Sequence, residues 1–254
     1  MIVYGTRDVE TDAVGAPTVD LNQSEPLEIP DGEILQTIFE LSFKGFETRL
    51  PPAMHPSHPP YATIFYYRAK TSPIGGFTMA QVRVSGMAGI SRFSYPIHGW
   101  IDNEEAGQVF AHRWGYRLEP AEISLKGGFD GVWGKVTQGG RVILESGIYD
   151  PEPVSGLDAT HAGHLNVAYV EGDDPAVPML IQAGPQLSFT RCDRGRPKLK
   201  TYDAEAIGGD VPYFNVSGFA GKCSFLFNPV MFICDPKRPA VEGALTLAGP
   251  LHGV

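Results

Sequence analysis

The sequence is short of the features that announce most function classes. It has no apolar run long enough to cross a bilayer as a helix, which excludes a helical membrane span. Positive charge is scarce. The formal net charge is −9, and binding to a phosphate backbone needs a basic surface, so nucleic acid is excluded as a partner. The one basic run, Arg191 to Lys200, is interrupted by glycine and proline and reads as a solvated loop or edge strand. Cysteine is rare: Cys192, Cys223 and Cys234 give an odd count with no metal-ligand spacing. Reduced, mostly buried thiols in a cytoplasmic protein are therefore expected. There is no phosphate-binding glycine loop, nucleophile elbow or dinucleotide fingerprint. The opening residues, MIVYGTRDVETDAVGAP, lack an apolar core and carry acids, so no secretory signal is expected. Residues 1–25 read as an arm, or as a strand that pairs with a partner subunit.

What is abundant is punctuation. The 254 residues include 30 glycines and 22 prolines spread along the chain, a pattern that separates many short strands. Hydrophobic residues make up 43% and charged residues 19%, as in a soluble globular domain with one substantial core. No repeat or linker divides the chain, so residues 1–254 are expected to form a single domain. Period-two alternation is clearest over Met79–Ser85, where Ala80, Val82 and Val84 share one face and Met79, Gln81, Arg83 and Ser85 the other. Strands are expected at Ile34–Phe43, Thr63–Arg68, Ile90–Ile97, Glu122–Leu125, Val132–Val136, Arg141–Tyr149 and Leu165–Val170. Others are expected at Leu187–Arg191, Lys198–Tyr202, Phe214–Phe219 and Val241–Leu247, with Thr137 to Gly140 as a hairpin turn. One helix interrupts them, from about Asn103 to His112, with Asp102 as N-cap and Glu105 three residues later. Many strands with few helices imply curved sheets or a closed barrel.

Immediately after that helix comes QVFAHRWGYRLEPA, Gln108 to Ala121. Its frame of Trp114, Gly115, Tyr116 and Ala121 resembles the active-site segment of the acetoacetate decarboxylase superfamily. Further pieces resemble that family in the same order. They are Leu50-Pro51-Pro52-Ala53-Met54 with Pro56, Gly75 to Met79 with Gln81-Val82, Ile101-Asp102-Asn103, and Asp193 to Tyr202. The resemblance implies an acetoacetate-decarboxylase-like β-barrel of curved antiparallel sheets with a few short helices, assembled as a homo-oligomer. The family's reaction needs a lysine that forms a Schiff base, its pKa lowered by a neighbouring cation; acetoacetate decarboxylase is the standard example of that effect. In this sequence the lysine pair falls on Leu118 and Glu119, and the preceding Arg-Glu on Ala111 and His112. The family's strand carboxylate falls on Met79, or on Gln81 if the register slips by two. Leu118 offers no nitrogen, and Glu119 would raise the pKa of a neighbouring lysine. Decarboxylation by the family mechanism is not expected. Lys135 and Lys126 are the candidates for a relocated nucleophile.

Acid–base chemistry is the expectation that remains. His112 and Glu119, with Arg113, are the catalytic candidates; a histidine and a glutamate in reach of each other serve as base and acid. Arg117, Tyr116, Leu118, Met79, Gln81 and Arg83 are the substrate-binding candidates, an arginine being able to hold a carboxylate or enolate. The expected reaction is a lyase, hydratase, cyclase or isomerase step on a carbonyl-containing acid, with no cofactor and no membrane partner. Plain alternatives stand beside each residue. Arg113, Arg117 and Glu119 also suit a solvated surface. His112 suits a helix C-terminus, and Tyr116 and Trp114 suit a core. The histidine pairs His55/His58 and His161/His164 have a spacing that a metal could use but lack an obvious third ligand, so no metal is assigned. The other reading of the whole is a non-catalytic protein holding an apolar or aromatic small molecule, favoured by Leu118 and Met79 where charges would stand. The run Phe225 to Ile233 suits either an interface or a core strand.

Overall fold

A computed structural model describes residues 2–23, 25–159, 161–172, 176–209 and 211–246. In chain order the strands are β1 (Thr18–Val19), β2 (Leu27–Glu40), β3 (His55–Pro56), β4 (Tyr61–Ala69), β5 (Phe77–Ala88), β6 (Ser91–Ile101), β7 (Glu119–Pro120) and β8 (Glu122–Gly127). They continue with β9 (Gly131–Gln138), β10 (Arg141–Val154), β11 (His164–Val170), β12 (Met179–Ala183), β13 (Gln186–Tyr202), β14 (Phe214–Phe227), β15 (Phe232–Cys234) and β16 (Ala244–Thr246). The helices are α1 (Val9–Ala13), α2 (Glu104–Trp114), α3 (Ala204–Ile207) and α4 (Ala240–Gly243).

The alternation over Met79–Ser85 decides where the centre lies. Strand β5 is buried along nearly its whole length, so both of its faces are covered. Ala80 and Val82 join Ile64 and Tyr66 of β4, Leu35 and Phe39 of β2 and Leu144 and Ile148 of β10 in one core. Met79 joins Phe65 and Tyr67 of β4 in a second core, completed by Phe110 and Trp114 of α2 and by Phe225 and Phe227 of β14. A strand buried on both faces places polar side chains inside the molecule whenever they occur on it, and Gln81 and Arg83 are such residues.

The hydrogen-bonded path runs β16-β15-β12-β11-β6-β5-β4-β2-β14-β13-β10-β9-β8, with β1, β3 and β7 attached at its sides. Two expectations are corrected. The sheet is mixed, because β1–β11, β6–β11 and β6–β7 pair in parallel. Among the described residues it is also not closed into a barrel: β16 and β8 remain the two edges. Strand β8 approaches β5 and β6, and its Leu125 packs into the same core as Ala80, Val82 and Trp100, but it hydrogen-bonds to neither strand. The β8 edge is capped instead by Arg68, which donates to the Leu125 carbonyl.

Local sequence signals account for most of the rest. Gly139 and Gly140 both have positive φ (58° and 77°), as the tight turn between β9 and β10 requires. The expected strands Leu187–Arg191 and Lys198–Tyr202 are one 17-residue strand, β13, which runs through Gly195 and Pro197. The N-cap of α2 is Asn103 rather than Asp102: its side chain accepts from Ala106 N at 3.1 Å. Asp102 accepts from Thr78 N at 2.6 Å and so ties β5 to the end of β6. The expected strand Val241–Leu247 begins inside α4 and continues as β16; Leu247 lies outside the described residues. In the run Phe225 to Ile233, Phe225 and Phe227 are core, whereas Met231 is exposed. No helix among the described residues is long and apolar enough to cross a membrane.

Candidate active site

Helix α2 delivers the segment that follows it. Ala106, Phe110 and Trp114 recur at helical spacing and are buried, so the helix is pinned along one face. Gly115 ends it in the left-handed region at φ 68°, and a Cβ there would lie 2.8 Å from the Ala168 Cβ. Backbone conformation and space thus both demand glycine. Asn166 donates to the Trp114 carbonyl at 2.8 Å, and the Trp114 indole donates to the Asn228 carbonyl at 2.7 Å. The chain then runs extended into β7, which pairs with Trp100 and Ile101 of β6. Alternation sends Tyr116 and Leu118 into the core and leaves Arg117 and Glu119 on the other side.

Arg117 and Glu119 line a cavity of about 330 Å³ together with Arg7, Gln81, Tyr95 and His98. His98 Nε2 lies 3.3 Å from Glu119 Oε1, an ion-pair distance off the straight line of a hydrogen bond, and Gln138 donates to the other oxygen at 3.1 Å. The His98 ring is stacked on Trp100, with centroids 4.5 Å apart. Burial pushes the Glu119 carboxyl up, but the Gln138 hydrogen bond and the charges of His98 and Arg117 outweigh it. The net shift is downward, so Glu119 is ionised at neutral pH. Arg7 is already neutralised: it reaches both oxygens of Asp12 at 2.5 and 2.7 Å, and Tyr95 donates to the same carboxylate at 2.6 Å. Arg117 is exposed, touches the Asp12 carbonyl at 3.4 Å, and has no carboxylate within 4.0 Å among the described residues.

Behind Gln81 lies a second polar group. Arg83 is fully buried, its guanidinium carbon 4.2 Å above the Phe65 ring. Its Nε donates to Gln81 Oε1 at 3.1 Å, its Nη2 to the same oxygen and, at 3.4 Å, to the Tyr67 hydroxyl. Nη1 has no partner, and no carboxylate pairs with this arginine among the described residues. The Tyr116 hydroxyl, His161 Nε2 and both ring nitrogens of His164 are likewise buried without hydrogen-bond partners. Ring contacts join the group: His161 stands edge-on to Phe65 at 5.2 Å, and His164 to Tyr116 at 5.0 Å. Burial and then the Arg83 charge push His161 down to about 3 and hold His164 well below its usual value. Both imidazoles are therefore neutral.

No protein-family model matches the sequence, and no curated protein matches it by sequence. Solved structures do match. An acetoacetate decarboxylase superposes with a TM-score of 0.71 at 13% identity, over 81% of this chain and 88% of that one. The chain has the acetoacetate decarboxylase fold. The acetoacetate decarboxylase of Legionella pneumophila gives 0.68 at 15% identity, over 82% of this chain and 86% of that one. The enduracididine biosynthesis enzyme MppR, complexed with the condensation product of pyruvate and imidazole 4-carboxaldehyde, gives 0.66 at 13%, over 83% and 90%.

Within the acetoacetate decarboxylase fold the residues singled out from the sequence fall into three places. Gln81, Arg83 and Tyr116 come together, and Met79 and Leu118 pack into the adjoining core. Arg117 and Glu119 stand on the cavity wall. His112 and Arg113 are not among the cavity-lining residues. The exposed His112 neighbours Asp20 and Glu171, while Arg113 donates to the Glu25 carbonyl and lies over the Trp114 ring. His112 and Glu119 are not brought together; His98 stands where that pairing was expected. Extending the Ile90–Ile97 strand to its observed end at Ile101 would have carried His98 onto the sheet. His161 and His164 were visible in the sequence only as a metal spacing, and they belong to the buried group instead. Lys135 shares the outer face of β9 with Trp133, whose ring carries Lys200, and Lys126 is exposed.

Proposed function

We propose that this protein is an enzyme that moves a proton next to the carbonyl of a small carbonyl-containing acid, without a Schiff base. The observation that carries this reading is the His98–Glu119 pair on the wall of a cavity that also presents Arg117, which has no carboxylate partner among the described residues. His98 takes the proton from the carbon beside the carbonyl, and the electron pair moves onto the carbonyl oxygen. The ionised Glu119, held by Gln138, stabilises the imidazolium that results. Arg117 draws the anionic substrate in and offsets the enolate charge. A lyase, hydratase, cyclase or isomerase reaction of such an acid can begin with this step.

The fold supports an enzymatic reading, since it houses acetoacetate decarboxylases and MppR. An apolar ligand draws less support, because Met79 and Leu118 are packed into the core and the cavity wall carries Arg, His, Asp and Glu side chains. Three buried free thiols suit the reducing conditions of a cytoplasm. The test is deuterium uptake at the carbon beside the carbonyl of 2-oxo and 3-oxo acids in heavy water, followed by NMR. Uptake is expected with the native protein, falling about a hundredfold or more in His98→Gln and in Glu119→Gln and unchanged in His112→Ala. Full uptake in both cavity variants, or none with any such acid, would refute the reading.

A further inference from the structure

We infer that the group around Arg83 is a carboxylate-binding site, entered from the cavity past Gln81, where the acid group of the substrate replaces the Gln81 amide oxygen on the guanidinium. The identity of the ligand as substrate rests on the function proposed above; the binding site does not.

The first ground is charge. A fully buried guanidinium is strongly destabilising unless an anion or a full set of acceptors compensates it. Among the described residues Arg83 has only neutral acceptors, the Gln81 amide and the Tyr67 hydroxyl, and its Nη1 has none. The second ground is the company it keeps. Buried polar groups without partners are few in a folded protein, yet here the Tyr116 hydroxyl, His161 Nε2 and both nitrogens of His164 feel the field of one cation. The Tyr116 hydroxyl and one ring nitrogen of the neutral His164 can donate to an anion, whereas the His161 proton is directed through Nδ1 to Gln36 Oε1 at 3.5 Å. The same field argues against a metal ion between the two histidines, which a guanidinium would repel.

Shape selects the ligand. A carboxylate matches the forked donors of arginine with two oxygens, and it is nearly isosteric with the carboxamide end of Gln81 that now fills the position. Gln81 lines the cavity as well as capping Arg83, so one rotation of its side chain exposes the guanidinium to a ligand already inside. Leu118 and Gln81 crowd Gly99 on that path, where a Cβ would lie 2.8 Å from Leu118 Cδ2 and 3.2 Å from Gln81 Cγ, which favours a small acid.

Acetate is the probe, titrated calorimetrically and by thermal unfolding with chloride at equal ionic strength as the control. The native protein should gain on the order of 5 °C at saturating acetate and nothing with chloride. Arg83→Met should weaken acetate binding by about thirtyfold or more, whereas His112→Ala, outside the cavity, should retain it. Gln81→Ala removes the competing amide and should bind acetate more tightly, which keeps the test valid if Arg83→Met fails to fold. An acetate response that survives in Arg83→Met, or an affinity unchanged in Gln81→Ala, overturns the inference. His98→Gln separates the two claims: it should lose deuterium uptake and keep its acetate response.

Discussion

Two tyrosines should respond with opposite signs to the same substitution. Tyr95 and Tyr116 are both buried, and Tyr→Phe at either removes one oxygen and leaves the ring in place. Tyr95 donates to Asp12 at 2.6 Å, a bond to an ionised acceptor. Losing such a bond costs about 1.5–3 kcal/mol. The Tyr116 hydroxyl has no partner among the described residues, so Tyr116→Phe deletes an unmet desolvation cost and should gain about 1 kcal/mol. At about 2–4 °C per kcal/mol for a domain of this size, the two variants should differ in Tm by about 5–16 °C, with the native protein between them. Calorimetry at neutral pH without carboxylate buffers gives the comparison, and urea midpoints check it. Two variants that shift the same way would mean that the hydroxyl inventory around Arg83 has been misread, and the anion site would lose one of its grounds.

Other outcomes follow from the same structure. Borohydride added with acetoacetate should leave no mass adduct, because every lysine is exposed or half-buried and none lines the cavity; an adduct at Lys135 or Lys126 would restore Schiff-base chemistry. His161 is held down to about 3 in the folded protein against a usual 6.5. Between those values the unfolded chain binds a proton that the folded chain does not. Stability should therefore be full above pH 6.5 and fall as the pH drops toward 3, by at most about 1.4 kcal/mol per pH unit for this group. His161→Gln should flatten that slope in urea titrations at several pH values, and an unchanged slope counts against the assignment. Gly134→Ala should destabilise by about 1–3 kcal/mol in urea unfolding, since its Cβ would sit 2.5 Å from the buried Tyr66 ring; native stability would show that the two strands part more easily than their packing implies.

The strands and α2 were legible because side-chain period and capping are local properties. What misled was glycine and proline. Within β13, Gly195 is not a break: it lies where a Cβ would meet the Tyr149 carbonyl at 2.8 Å and Ile148 at 2.9 Å. Gly32 in β2 similarly makes room for the Phe225 ring. A residue that ends a strand and one that lets another layer approach look alike in one dimension. The barrel expectation failed for a related reason, since whether an edge pairs or stacks depends on side chains such as Leu125 meeting distant partners. Gln81 and Arg83 share one face of β5 as alternation requires, and Tyr116 is buried close to Arg83. His98 was missed because it belongs to a strand whose far end was drawn short. His112 was expected at the site because the resemblance sets the family's Arg-Glu on Ala111 and His112, but residues on a helix and on the strand after it need not share a wall.

The first residues of the chain supply Arg7, Thr11 and Asp12 to the cavity wall. They are seated by backbone bonds from Gly5 to Met54, Thr6 to Glu47 and Arg7 to Leu50, and by the short helix α1, outside the ladder of long strands. That wall should therefore open at a free energy below that of global unfolding while the sheet stays intact. Amide exchange at Gly5 and Arg7 should slow when the cavity is filled, while exchange in β4 and β5 stays as it was.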